Sequence, residues 1–314
     1  MVSADDVAVV IPVYNGVGIV DRCISALLRQ SRVPGEIICV DDFSKDNTYE
    51  YIKRRFPNVT LVRNGFNMGA SGSYAKGIIL AVSKGYKLIW LLDQDDLPSR
   101  KALEELLLFP LVGKAILTPI LVCPLLNSVY DMPDFSCGVF TWRRPDLNKP
   151  HEILLSNFSG MLLPDKLVDF VGVPSPKLRN EVADWEFSIR VRSRGWRIIR
   201  VPRSVVYHVG GKPRLGPRVY KRRYLRLQKM DLTRLVEVAS SKLVLISNYS
   251  KERYFERGRN ITFLLKSIEI PSCVKIFMLK WILGTLIKIS LFESEKREKM
   301  RAYLSGLLSG IIMT

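Results

Sequence analysis

The 314 residues are 47% hydrophobic and 25% charged, enough to bury a sizeable core, which excludes a disordered, collagen-like or low-complexity chain. The formal net charge of +18 is unevenly placed: residues 1–110 hold 13 basic and 13 acidic side chains, and residues 111–314 hold the remaining 35 and 17. Five cysteines without a CxxC pair argue against a disulfide framework or a zinc site, and the absence of a basic segment after Met1 argues against a signal peptide, so a cytoplasmic location is expected.

In chain order, Val7–Val13 reads as a buried β-branched strand, ended by Tyr14-Asn15-Gly16. Ile19, Cys23, Ala26 and Leu27 share a helical face. Glu36–Val40 is a second strand, ending in Asp41-Asp42, and Asp46-Asn47-Thr48 reads as a helix start. Val59–Val62, a helix over Ala70–Ser83 and a strand over Lys87–Leu92 follow. Strands alternating with helices predict parallel βαβ units with helices on both faces, and ligands then sit outside the carboxyl ends of the strands. The polar clusters fall at those ends.

Beyond residue 110 the strand-like stretches are Ala115–Pro119, Val139–Trp142, Arg197–Val201 and Val205–His208, with a helix over Arg179–Arg194. No acidic residue occurs from Phe187 to Met230, a segment rich in Lys and Arg. Cys273–Phe292 holds 14 apolar residues and three lysines, Lys275, Lys280 and Lys288. As a membrane span it is marginal. A cationic helix lying in the membrane interface fits better, and a core or dimer-interface helix is the alternative.

Asp93-Gln94-Asp95-Asp96 places several carboxylates on a strand-end turn. Such a set is stable around a divalent cation, and Mg²⁺ or Mn²⁺ prefers oxygen ligands shared with substrate phosphates. Asp93 and Asp95 are read as metal or nucleotide ligands, and Asp96 as a cap for the next helix. Asp41-Asp42 could bond a ribose or base edge, or simply cap a turn. Asn67-Met68-Gly69-Ala70-Ser71-Gly72 precedes a helix whose N-terminus could attract phosphate, with a plain turn as an equal reading. Asp184 could serve as a general base on a helix face shared with Glu181 and Ser188. Glu186 and Arg190 are spaced to pair, and His208 could complete a metal site. His151 receives no role. Gly16-Val17-Gly18 lacks the third glycine of a dinucleotide fingerprint and no P-loop occurs, which counts against a nicotinamide enzyme and a P-loop NTPase.

Taken in order, Val9–Asn15, Val40–Thr48, Asn67-Met68-Gly69 and Leu91–Asp95 resemble the family 2 glycosyltransferases, especially the rhamnosyltransferase and galactofuranosyltransferase-like branch. The similarity continues through Ser159-Gly160, Asp184–Arg190, Gly195–Pro202, His208, Arg253–Asn260 and Tyr303–Gly310. It implies an α/β GT-A fold: a Rossmann-like, mostly parallel sheet with flanking helices, followed by a C-terminal helical basic and apolar segment. The expected organisation is a nucleotide-sugar-binding half (1–110), an acceptor-binding half (111–230) and a C-terminal helical segment (231–314) that is membrane-interfacial or oligomerising.

The implied activity is inverting, metal-dependent transfer from a UDP- or dTDP-sugar to a hydroxyl of a glycan or lipid-linked glycan. Pro12, Tyr14, Asn15, Asp41, Asp42, Asn67, Gly69, Asp93 and Gln94 match the donor side. Asp93, Asp95 and His208 match the metal site for Mn²⁺ or Mg²⁺, and Asp184 matches the base. Ser159, Gly160, Trp185 and Glu186 fall on the acceptor side. Lys212 and Arg214, in the basic stretch Lys212–Arg223, could close over the diphosphate as a lid. The QxxRW signature of processive members is absent, which points to a non-processive enzyme. The basic second half suits an anionic membrane surface at its cytoplasmic face, and the apolar C-terminal helices could also pair in a homodimer. Three competing classes remain: an inactive scaffold acting as a partner subunit, a nucleic-acid binder, and a nucleotidyltransferase. The metal candidates and Asp184 argue against the first, the lack of any recognition motif against the second, and the missing glycine-rich basic loop against the third.

Overall fold

The computed structural model describes residues 2–124, 128–129, 132–136, 139–143, 148–208, 249–267 and 270–313. Its centre is a ten-stranded mixed sheet. The first strands are β1 (Val7–Val13), β2 (Glu36–Asp41), β3 (Thr60–Arg63) and β4 (Leu88–Leu91), all parallel in the order β4-β1-β2-β3. Between them run helices α1 (Val20–Leu27), α2 (Thr48–Arg55) and α3 (Gly69–Ser83). β1 shows why this half folds as it does. Its seven residues are all buried. Val7, Val9, Ile11 and Val13 face the core under α1, while Ala8 and Val10 face the core under α3. A strand buried on both faces needs a continuous apolar run rather than an alternating one. The buried stripe of α1 is Val20, Cys23, Ile24 and Leu27, and Ile19 is exposed just ahead of it, so the expected face is shifted by one position.

The sheet continues past residue 95 through β5 (Asp96–Pro98), β6 (Ile116–Cys123), β7 (Ser128–Val129), β10 (His151–Glu152), β11 (Leu162–Pro164) and β12 (Ile198–His208), with β8 (Met132–Ser136) and β9 (Val139–Arg143) forming a separate hairpin. β11 is antiparallel to both β4 and β6, and β12 is parallel to β6. The carboxyl ends of β1, β2, β4, β6 and β12 therefore share one edge, and the residues just before β11 return to that same edge. The two short strands expected over 197–208 are one strand, with a register irregularity between Arg200 and Val205.

Helices α4 (Ala102–Leu107), α5 (Lys166–Val171) and α6 (Ala183–Ser193) cover the sheet. The helix expected to start at Arg179 starts at Ala183 instead. Arg179 and Val182 both have positive φ, 56° and 66°, and break the helix pattern. Glu181 thus lies outside the helix, and the face it was expected to share with Asp184 does not exist.

Three helices close the chain: α7 (Lys251–Ser267), α8 (Ser272–Phe292) and α9 (Lys296–Ile312). α7 and α9 approach closely because Gly258, Gly306 and Gly310 sit against backbone of the opposite helix, where a Cβ would come within 2.1–2.4 Å of a carbonyl oxygen. α8 packs Val274, Phe277 and Met278 against α6 and α7. Among the described residues no helix is long and apolar enough to cross a membrane.

Candidate active site

The site is assembled on the carboxyl edge of the sheet, and its centre is the turn after β4. Asp96 is fully buried. It does not cap the following helix, as expected, but closes its own turn: Asp93 N donates to Asp96 Oδ2 at 2.7 Å. Asp96 then opens β5, whose pairing with β12 sets Asp96 opposite His208. His208 Nδ1 lies 2.7 Å from Asp96 Oδ1. Ser159, just ahead of β11, places its hydroxyl 2.8 and 2.9 Å from the Asp96 oxygens, 3.1 Å from Asp93 Oδ2 and 3.1 Å from His208 Nδ1. Tyr74, buried on α3, donates its hydroxyl to Asp93 Oδ1 at 2.8 Å.

Asp93, Asp95, Asp96 and His208 each offer one ligand atom, and these atoms lie within 4.8 Å of one another. Three carboxylates and one imidazole form a hard, mostly oxygen donor set that fits Mn²⁺ or Mg²⁺. Burial raises the Asp96 carboxyl to about 6, and the nearby His208 restrains that rise. Burial would lower His208, but the hydrogen bond and charge of Asp96, with Asp95 and Asp93, outweigh it and hold the imidazole near 10.

Asp184 stands at the first turn of α6. Burial raises its carboxyl to about 7, against a hydrogen bond from its neighbour's backbone, Trp185 N at 2.9 Å; the charges of Glu181 and Asp93 raise it further. A carboxylate tuned near neutrality is matched to proton transfer at physiological pH.

The donor-side residues divide into those with free chemistry and those already committed. Asp42 is saturated. Its Oδ1 accepts from Asn64 Nδ2 at 2.9 Å and Met68 N at 2.7 Å, and its Oδ2 from Gly69 N at 2.8 Å. Ala70 N and Ser71 N are taken by Asn180 Oδ1 and Arg179 O. The N–H groups of Met68, Gly69, Ala70 and Ser71 at the start of α3 are therefore taken within the protein, which accords with the plain-turn reading of residues 67–72. Gly69 is required there: its φ is +77°, and a Cβ would lie 2.7 Å from Arg179 Cα. Asn67 bonds Arg179 through both its carbonyls.

Asp41 differs from its neighbour. It is fully buried, its Oδ2 accepts from Arg63 Nε at 3.0 Å, and its Oδ1 has no partner. Gln94 grips the backbone of Tyr14 in both directions, at 3.0 and 3.1 Å, and so ties the acidic turn to the end of β1. Asn15 accepts from Lys45 N at 2.8 Å, Pro12 is buried within β1, and the Tyr14 ring is exposed at the rim.

On the expected acceptor side, Gly160 is a close approach of strands. Its φ is +77°, its carbonyl accepts from Trp90 Nε1, and a Cβ would meet Pro119 at 2.3 Å. Trp185 stacks on Phe277 and Trp281 of α8. Glu186 is buried in a pair with Arg190, at 2.6 Å, which also donates to the carbonyls of Val171 and Val173. All three make contacts within the fold. Lys212 and Arg214 lie outside the described residues.

Sequence reasoning missed Tyr74 and the set around Glu181. Glu181 is buried and receives Arg253 and Arg257 of α7, whose charges overcome burial and keep it below the usual carboxylate range. The i,i+4 arginines followed by Asn260 on one helix face were the available signal.

Residues 8–152 match the family model described as Glycosyl transferase family 2. That stretch is a glycosyltransferase family 2 domain. It is 31% identical over 102 residues to poly(ribitol-phosphate) beta-glucosyltransferase of Bacillus spizizenii, covering 31% of this chain and 16% of the relative. It is 23% identical over 201 residues to galactofuranosyltransferase GlfT1 of Mycolicibacterium smegmatis, covering 57% and 62%. The chain thus spans less than two thirds of either relative. Among solved structures, Staphylococcus aureus TarS 1-349 in complex with UDP-GlcNAc superposes with a TM-score of 0.54 at 16% identity, covering 97% of this chain and 80% of that one. Mannosyltransferase PcManGT from Pyrobaculum calidifontis, in complex with GDP-Man and Mn²⁺, gives 0.53 at 14% identity, covering 98% and 76%. These likenesses show a GT-A-like fold for the chain.

Proposed function

We propose that this glycosyltransferase moves a sugar from a nucleoside diphosphate sugar to an acceptor hydroxyl with inversion at the anomeric carbon. The observation that carries the reading is the pairing of two unlike elements on one sheet edge: the Asp93, Asp95, Asp96 and His208 cluster, and a separate carboxyl, Asp184, held near neutrality and within reach of Asp93's charge. A divalent cation in the cluster would neutralise charge developing on the leaving diphosphate. Asp184 accepts the acceptor hydroxyl's proton as the new C–O bond forms. The anomeric C–O bond to phosphate breaks, and its electron pair leaves with the diphosphate. Ser159 and Tyr74 fix the Asp93 carboxylate, and Gln94 fixes the turn against the β1 end. The unpaired Asp41 Oδ1 supports a nucleoside base at the β2 end, where it could accept an imide N–H of uracil or thymine.

The acceptor is proposed to be a glycan or lipid-linked glycan met at an anionic membrane surface. α8 supports this: away from its buried Val274, Phe277 and Met278 it exposes Ile276, Leu279, Leu283 and Ile287, with Lys275 and Lys280 exposed among them. Apolar side chains flanked by lysines favour anionic lipid over a second copy of the same cationic face. Flotation with vesicles containing phosphatidylglycerol tests this. Recovery with the vesicles at low salt, reduced in Leu279→Asp/Leu283→Asp, is expected, and failure to float refutes it.

The central experiment is calorimetric titration of UDP, dTDP and GDP and their sugars with and without Mn²⁺. Metal-dependent binding of UDP or dTDP, lost in Asp95→Ala, is expected. A folded chain that binds none of them is not this transferase.

A further inference from the structure

The segment that delivers Asp184 is bent as a free chain would not be. Arg179 has φ 56° and ψ −85°, and Val182, a β-branched residue, sits in the left-handed region at φ 66°. Such conformations persist only where surrounding contacts over-determine them, and they gather at functional sites. Here α7 supplies the contacts. Asn260, fully buried, donates to the carbonyls of Leu178 and Glu181, both at 2.6 Å. Arg253 and Arg257 reach the two oxygens of Glu181, Arg257 Nε at 2.8 Å. Glu256 accepts from Arg179 Nε and Asn180 Nδ2, each at 3.0 Å.

Residues 253, 256, 257 and 260 form one face of α7, so a single helix face grips Arg179 and the residues that lead up to Val182, while Val182 itself packs in the cluster that holds Ile261 and Leu264 of α7. Arg257 is itself locked over the rings of Tyr249 and Trp281. The loop ends one residue before α6, and Asp184 is the second residue of that helix. α7 is in turn fixed to α9 by the glycine contacts.

We propose that Glu181, Arg253, Arg257 and Asn260 are positioning residues for Asp184, so that the C-terminal helices set the placement of the base. This rests on the reading of Asp184 as the base. Apolar residues of similar size would fill the same space without burying a charge pair, but they would not fix the loop in register with the carboxylate.

The full chain carrying Arg253→Gln, Glu181→Gln or Asn260→Ser tests the idea. Arg253 is the mildest site, since its side chain is half exposed. The number of UDP- or dTDP-binding sites, counted by calorimetry with Mn²⁺, gives the folded fraction. Donor hydrolysis, with water standing for the acceptor, gives kcat per binding site. The expectation is a fall of about 10- to 100-fold in kcat per site, with nucleotide Kd and donor KM unchanged. Asp184→Asn is run in parallel. If it is inactive while all three variants keep wild-type kcat per site, α7 is only structural and the proposal fails alone. If Asp184→Asn retains wild-type hydrolysis, the base assignment fails and the proposal falls with it.

Discussion

Asp184→Asn separates chemistry from folding in one substitution, and the structure predicts opposite signs for the two. The amide keeps the size of the carboxyl and can still accept from Trp185 N through Oδ1. It cannot take a proton from an acceptor. General-base catalysis contributes roughly 10²–10⁴ in rate, so kcat should fall by at least about a hundredfold with nucleotide affinity intact. Stability should move the other way. The native carboxyl is raised from 3.8 to about 7, mainly by burial. The native state therefore binds the proton that the unfolded chain releases between those values, and stability is lost as pH rises from about 4 to 7. At about 1.36 kcal/mol per pH unit the full gap is worth roughly 4 kcal/mol; solvent on one side of the partly buried group reduces the expectation to about 2 kcal/mol. Asn carries no such cost. Its thermal midpoint should match wild type near pH 4 and exceed it by a few degrees at pH 8, measured in chelator so that bound metal does not contribute. Wild-type activity in the variant, or a midpoint difference that does not grow with pH, would refute the assignment.

The same carboxyl predicts that wild-type kcat rises about tenfold per pH unit below 7 and levels above it, a limb that steady-state rates at saturating donor would reveal and that Asp184→Asn should lack. His208→Ala removes one of four clustered ligands and should weaken Mn²⁺-dependent nucleotide binding by more than about tenfold in calorimetry while leaving metal-free binding unchanged. Gln94→Ala loses two bonds to Tyr14 and should raise the nucleotide Kd by about five- to tenfold, with little change in thermal midpoint because both groups are exposed. Gly69→Ala combines positive φ with a Cβ 2.7 Å from Arg179 Cα and should cost about 2–4 kcal/mol in denaturant unfolding.

What could be read from the sequence was whatever is local. β1, β2 and α3 follow from apolar runs and helix periodicity, and the strand-end placement of Asp93 and Asp95 follows from the run Leu88–Leu92. Contacts that depend on topology were not visible. Ser159 reaches Asp93 only because β11 runs against its neighbours and returns its amino end to the carboxyl edge of β4. Asp96 joins the cluster only because β5 pairs with the last residues of β12. The helix start at 183 rather than 179 was hidden because a positive φ at valine has no sequence signature; α7, more than sixty residues later, stabilises it.

Acidic residues at strand ends are held in two different ways, and sequence position does not separate them. Asp41 and Asp42 are adjacent, both buried, at the end of the same strand. Asp42 gives both oxygens to the loop before α3, and with them the capacity to bind anything else. Asp41 gives one oxygen to Arg63 and keeps the other unpaired in a buried place, where an unpartnered acceptor costs about 1–3 kcal/mol. A cost of that size favours a site that receives a donor group from outside. Asp96 does both: it accepts from Asp93 N, lies within hydrogen-bond distance of Ser159 and His208, and by closing the turn holds the carboxylate of Asp93 beside it in the cluster. On the proposed reading of Asp41 as a contact to the nucleoside base, Asp41→Asn should weaken nucleotide binding more than it weakens the fold, whereas Asp42→Asn should do the reverse.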